Sequence, residues 1–225
     1  METLQNGILQ SSKLIFIGDV HGQIDKVEEF ISSQEEDSIF VFLGDLIHVK
    51  PHFNVEQYYS TVEVINYFRE LEKRRQCKFV LGNQEIYILD CLLSERKRGI
   101  NKEEVQKSIS AIRDLSIMEQ IDLLHWIRMI PFSLKIETER KTYKVAHAYY
   151  IEDPKDKREK DLCSFGKLTD WMKKKYLPFR INKNEVIILG HYGRPFIRPE
   201  LKIIDATLLH GIGIFYAKNS LFEVI

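Results

Sequence analysis

The stretch Leu14-Ile15-Phe16-Ile17-Gly18-Asp19-Val20-His21-Gly22 decides the fold. Four apolar residues without a polar break, followed at once by glycine, predict a strand buried on both faces that ends in a sharp turn. The pattern recurs four times. Ile39 to Leu43 runs into Gly44-Asp45, Lys78 to Leu81 into Gly82-Asn83, Tyr143 to Ala146 into His147, and Val186 to Leu189 into Gly190-His191. Helical periods lie between: Tyr58, Val62, Ile65, Phe68 and Leu71, then Leu115, Met118, Ile121 and Leu124 ahead of Pro131. Asp25, just past the first loop, fits a helix cap. Strands alternating with helices predict an α/β fold whose ligands gather beyond the carboxyl ends of the strands.

Those endings deliver Asp19, His21, Asp45, Asn83, His147 and His191. Singly, an Asp or Asn after a strand is an ordinary turn former, and a lone His an ordinary hydrogen-bonding residue. The set is different. Two carboxylates, three imidazoles and one carboxamide suit Mn, Fe or Zn and are too rich in nitrogen for Ca. Six ligands exceed what one catalytic ion with an open position takes, and suffice for two ions sharing a carboxylate.

The motifs DVHG at 19–22, GDLIH at 44–48, GNQE at 82–85, AHA at 146–148 and GH at 190–191 resemble the calcineurin-like metallophosphoesterases. That family's pattern is GDxHG, GDxxDRG, GNHE, a later strand-end His, and GH, and the order and spacing fit. The closing run at 203–217 resembles the family's last strands. The nearest branches are bacterial and phage phosphoprotein phosphatases, dinucleoside tetraphosphatases and RNA end-healing phosphatases. The resemblance implies two mixed β-sheets packed as a sandwich and flanked by helices, as one domain over 1–225 with 1–12 as a flexible lead. It implies Asp19 and His21 on a first metal, Asp45 bridging, and Asn83, His147 and His191 on a second. Mn is the expected metal, with Fe and Zn compatible. The implied activity is hydrolysis of a phosphomonoester or nucleotide phosphoanhydride, the phosphate being carried by a protein, a nucleotide or a nucleic-acid end.

Two departures stand beside these matches. Gln84 occupies the place of the family's general-acid histidine. His48 replaces the Asp that orients it, and Val49 replaces a phosphate-clamping Arg. His48 is thus a candidate replacement acid, since an imidazole donates protons near neutrality. Without any acid, only good leaving groups would turn over well. The alternative is a catalytically impaired homologue that binds metal and phosphate as a regulatory module. Lys50 and Arg194, just after ligand-bearing loops, are candidate phosphate clamps. Tyr149 and Tyr192 are candidates for stacking on a base or phenol, and His125 for packing at a helix end.

Composition sets the outer limits. The 225 residues carry 33 basic and 33 acidic side chains, which argues against general nucleic-acid binding. Hydrophobic content of 44% with 29% charge is that of a globular protein. Three cysteines without a CxxC read as free thiols, and no stretch reads as a signal or a membrane span. The cytoplasm is the expected location. The run EDPKDKREKD at 152–161 reads as an exposed polar loop, and it and the segment from Ser94 to Lys107 are where substrate preference would be written.

Overall fold

The computed structural model of the chain describes residues 10, 13–48, 58–93, 102–166, 182–206 and 209–225. Lys50 lies outside them, as does nearly all of 1–12. Two five-stranded sheets form the centre. The first joins β1 (Leu14–Ile17), β2 (Ile39–Phe42), β3 (Gln76–Phe79), β9 (Gly213–Tyr216) and β10 (Leu221–Val224) in the order β10-β9-β1-β2-β3. The second joins β4 (Ser133–Glu137), β5 (Thr142–Ala146), β6 (Glu185–Leu189), β7 (Phe196–Ile197) and β8 (Leu201–Ile203) in the order β4-β5-β6-β8-β7. Both are mixed: β1-β2-β3 and β5-β6-β8 are parallel, while β9, β10, β4 and β7 pair antiparallel. This is the expected architecture.

Strand alternation divides the core. Leu14 and Phe16 of β1, with Ile39 and Val41 of β2, face Tyr143, Val145, Val186 and Ile188 of the second sheet. The Phe16 ring lies 5.1 Å from that of Tyr143. The alternate residues Ile15, Ile17, Phe40 and Phe42 turn to the other side. There they meet α1 (Ile24–Ser32), α2 (Thr61–Arg74), α3 (Asn83–Leu93), α4 (Glu103–Arg113) and α5 (Ile117–Met129). A continuous apolar run is therefore what a strand between two layers requires.

Several local expectations are corrected. The third strand begins two residues before the apolar run and stands at the sheet edge, so Gln76 is exposed and Cys77 and Lys78 only half-buried. On α5 the expected face is wrong: Met118 and Ile121 are exposed, while Leu123, Leu124 and Ile127 are buried. His125 is likewise exposed rather than packed. Gln23, not Asp25, is the N-cap of α1, and Asp25 accepts a hydrogen bond from the Tyr59 hydroxyl. The polar run at 152–161 is half helix. Asp156 caps α6 (Lys157–Phe165) by accepting from the Glu159 N–H, and Gly166 ends it in the left-handed region. Tyr149 is buried, so it presents no face to a ligand. No described helix is long and apolar enough to cross a membrane.

Candidate metal centre

Five strands point their carboxyl ends at one place. β1 delivers Asp19 and His21, β2 Asp45, and β3 Asn83 at the first turn of α3; β5 delivers His147 and β6 His191. Backbone bonds lash the loops together: His21 N–H donates to the Asp45 carbonyl (2.8 Å), Gly22 N–H to Leu46 (2.7 Å), and Gly190 N–H to His147 (2.8 Å). The price is local strain. His21, Asp45, His48 and His191 all adopt φ between 49° and 69°, the left-handed region. Non-glycine residues there cost on the order of 1–3 kcal/mol each and persist where their surroundings over-determine them. The glycines give the room: a Cβ on Gly82 would meet Glu85 Oε2 at 2.7 Å, and one on Gly44 would meet the Gly82 backbone at 2.5 Å.

Ring orientation is set from behind. His147 Nδ1–H donates to the Leu43 carbonyl at 2.7 Å, so in the neutral ring the Nε2 lone pair faces forward. It meets Asn83 Oδ1 at 3.1 Å, Asp45 Oδ1 at 3.4 Å and His191 Nδ1 at 3.2 Å. His21 is oriented the same way, with Nδ1 against the Ile47 and His48 carbonyls at 3.2 and 3.1 Å. Its Nε2 then faces Asp45 Oδ2 at 3.7 Å and Asp19 Oδ2 at 3.9 Å. Asp19, His21 and Asp45 form a buried group able to hold a metal ion. Lone pairs converging in a buried site repel one another and attract a cation. Separations near 3.7 Å exceed a hydrogen bond and suit two ligands of one ion, each at about 2.0–2.2 Å.

Glu85 is the support that sequence reading missed. Wholly buried on α3, it accepts from the N–H groups of Asp45 (3.0 Å), Leu46 (2.9 Å), Ile47 (3.3 Å) and Gly82 (3.1 Å). Burial, and the Asp45 charge beside it, raise its pKa above the usual carboxylate range, while the N–H groups of Ile47 and Leu46 pull it back. Asp205, also missed, follows β8 and accepts from Gly193 N–H, holding the turn that carries His191. Each is a strand-end or helix-start acid, visible in the sequence but indistinguishable there from a cap.

These residues open on a cavity of about 260 Å³. Its lining divides by origin into a floor of the strand-end residues Asp19, His21, Asp45, Asn83 and His191 and a wall of the helix-side residues Gln84, Tyr87, Lys102 and Phe165, and Asp205 lines it too. His147 lies beneath the floor, fully buried. Arg194 is exposed and is not among the described residues that line the cavity. Nor does His48 line it. Its Nδ1–H donates to Gln84 Oε1 (2.9 Å), and its Nε2 meets Ser108 Oγ (2.7 Å), which also contacts Thr61 Oγ1 and donates to the Glu104 carbonyl. His48 therefore stands behind Gln84 and positions it. With its oxygen held, Gln84 has its NH₂ left as the group to offer a substrate.

The sequence profile of the calcineurin-like phosphoesterases matches residues 12–204. The chain belongs to the calcineurin-like phosphoesterase family. Membership implies divalent-metal phosphoester hydrolysis, and the buried Asp19–His21–Asp45 group fits that use. The zinc-dependent endopolyphosphatase of Saccharomyces cerevisiae is 32% identical over 88 residues, which is 37% of this chain and 24% of that protein. The match thus spans about a quarter of the curated relative's length. Among solved structures, a candidate diadenosine tetraphosphatase superposes with a TM-score of 0.58 at 16% identity, covering 97% of this chain and 96% of that one. A metallophosphoesterase from Sphaerobacter thermophilus gives 0.54 at 12% identity, covering 94% and 87%. At such identities the likeness is one of fold.

Proposed function

We propose that this phosphoesterase works with two divalent cations that share Asp45 and hydrolyses substrates whose leaving group departs as an anion. Asp19, His21 and Asp45 Oδ2 would hold one cation; Asp45 Oδ1, Asn83, His147 and His191 would hold the other. The observation that carries this reading is the position of Asp45, with one carboxylate oxygen 3.7 Å from His21 Nε2 and the other 3.4 Å from His147 Nε2. When bound, such a pair acts as a Lewis acid on a phosphoryl oxygen and lowers the pKa of water for in-line attack. The mixed O/N ligands fit Mn, with Fe and Zn as the other candidates.

The chain's own residues do the rest. The Leu43 carbonyl fixes His147 and the Ile47 and His48 carbonyls fix His21, so both rings present Nε2 without rearrangement. Glu85 holds the Asp45 loop through its N–H groups. Gln84, positioned by His48, gives the leaving oxygen a hydrogen bond and no proton, because an amide does not ionise in the working range. Loss of an acid costs about 10²–10⁴-fold for a poor leaving group and little for one stable as an anion. Alkyl phosphates such as phosphoserine should therefore be poor substrates, and aryl phosphates and phosphoanhydrides good ones.

Purified protein with added Mn²⁺ and p-nitrophenyl phosphate tests the reading. Turnover that vanishes with a chelator and in Asp45→Asn is the expected result. If wild-type protein is as inert as Asp45→Asn toward aryl phosphate, phosphopeptide and tripolyphosphate, the enzyme reading is wrong and the chain is a metal- and phosphate-binding homologue.

A further inference from the structure

We infer that Lys102 binds the departing phosphate of a phosphoanhydride, which makes the substrate a polyphosphate chain, inorganic or nucleoside-borne. The inference rests on the phosphoesterase reading of the cavity. Among the described residues lining that cavity, Lys102 is the one lysine or arginine. It immediately precedes α4, whose Val105, Ile109 and Ile112 are buried in the helical layer, so its backbone is anchored. Its ammonium sits 4.4 Å from the centroid of the Tyr87 ring, and the Phe165 ring stands 5.6 Å from that of Tyr87. A cation held over an aromatic face is attracted to the ring and loses much of its conformational freedom.

Place and chemistry then agree. Gln84, Tyr87 and Lys102 come from α3 and the start of α4, so the amide donor and the ammonium share one wall. Asp45 and its partners form the floor against which the reacting phosphoryl group is held. A leaving group beside that wall receives a hydrogen bond from Gln84 and a counter-charge from Lys102, but no proton. That combination suits an oxygen that departs already stable as an anion, with further negative charge beside it. A phosphate meets both conditions; an alkoxide meets neither. The cavity, at about 260 Å³, lies below the roughly 300–1,000 Å³ of common small-molecule sites. It takes the end of a phosphate chain and leaves the remainder outside.

The reaction balances with water alone. A water oxygen bonds to the terminal phosphorus, the P–O bond to the bridging oxygen breaks, and the electron pair stays on the departing phosphate. The proton released by water passes to solvent.

The measurement is kcat/KM with Mn²⁺ for tripolyphosphate, ADP and p-nitrophenyl phosphate in wild type, Lys102→Ala and Lys102→Arg. Lys102 is exposed, so neither change threatens the fold. Lys102→Ala should lower the ratio of tripolyphosphate to aryl phosphate turnover at least tenfold, and Lys102→Arg should restore most of it. A matching fall for ADP identifies the nucleoside-borne chain as a substrate too; a fall for tripolyphosphate alone assigns the inorganic chain. An unchanged ratio for both anhydrides overturns the inference. Should wild type hydrolyse nothing, the enzyme reading falls separately, and tripolyphosphate binding to the Mn²⁺-loaded protein decides the role of Lys102. Affinity at least tenfold weaker in Lys102→Ala then supports it, and equal affinity overturns it.

Discussion

The floor of the cavity is made by strand ends and its wall by helices, and the two stand differently toward the family pattern. Every floor residue, from Asp19 to His191, lies in a stretch that resembles a motif of the calcineurin-like phosphoesterases. On the wall, Gln84 replaces the expected histidine and His48 stands behind it. The floor is held by backbone: carbonyls aim two imidazoles, and a buried carboxylate collects four N–H groups. The wall is held by side chains reaching between helices, from Ser108 on α4 to His48 to Gln84 on α3. A framework that uses main-chain atoms is hard to change one residue at a time, whereas a relay of side chains can be rewritten by substitution. The proposed metal ligands and the proposed donor to the leaving group thus belong to separate frameworks.

The sharpest way to break this contrast is at the floor. Asp45→Asn should reduce turnover on the order of 10³-fold or more, since several kcal/mol of charge stabilisation goes with the carboxylate. A small effect on p-nitrophenyl phosphate hydrolysis would dissolve the distinction. At the wall, Gln84→His should raise alkyl phosphate turnover on the order of 10²-fold while aryl turnover changes little, because only a poor leaving group needs the proton. No gain in a folded variant would show that this wall does not meet the leaving oxygen.

Behind the floor, Glu85→Gln should slow turnover about 10- to 100-fold through misplacement of Asp45. It should also lower unfolding stability by about 2–3 kcal/mol, read from urea denaturation, as charge-assisted bonds to buried N–H groups are lost. Behind the wall, Ser108→Ala removes one hydrogen bond to His48, and about a fivefold loss of turnover with unchanged Mn²⁺ affinity is expected. Weakened Mn²⁺ affinity would join wall to floor and end their separation.

The floor was legible in the sequence because strand exits are punctuated: a glycine, then a polar residue, after an apolar run. The two-sheet architecture followed from the family motifs, and the structure bears it out. Legibility failed where packing is one-sided. β3 is an edge strand, so its exposed and half-buried start, Gln76 to Lys78, carries no apolar signal and its boundary shifts. On α5 two apolar stripes compete, and only the helices packed around it select Leu123, Leu124 and Ile127. Glu85 was unreadable for another reason. Its partners are main-chain amides, three of them in a loop some forty residues earlier, and amides leave no mark in a sequence. Lys102 reaches the cavity only because α3 and α4 pack together, which spacing along the chain does not encode.

The Glu85 clasp also sets a time scale. Loops beside a cavity ordinarily exchange their amide hydrogens quickly, but those of Asp45, Leu46 and Ile47 are bonded to a carboxylate buried on α3. They can open to solvent only when the loop and helix part, and that breaks the Glu85 hydrogen bonds together and exposes the core beneath them. These three amides should exchange as slowly as the central strands do. The site is then present or absent as a unit, and in a destabilised variant the remaining activity would track the folded fraction instead of fading ahead of it.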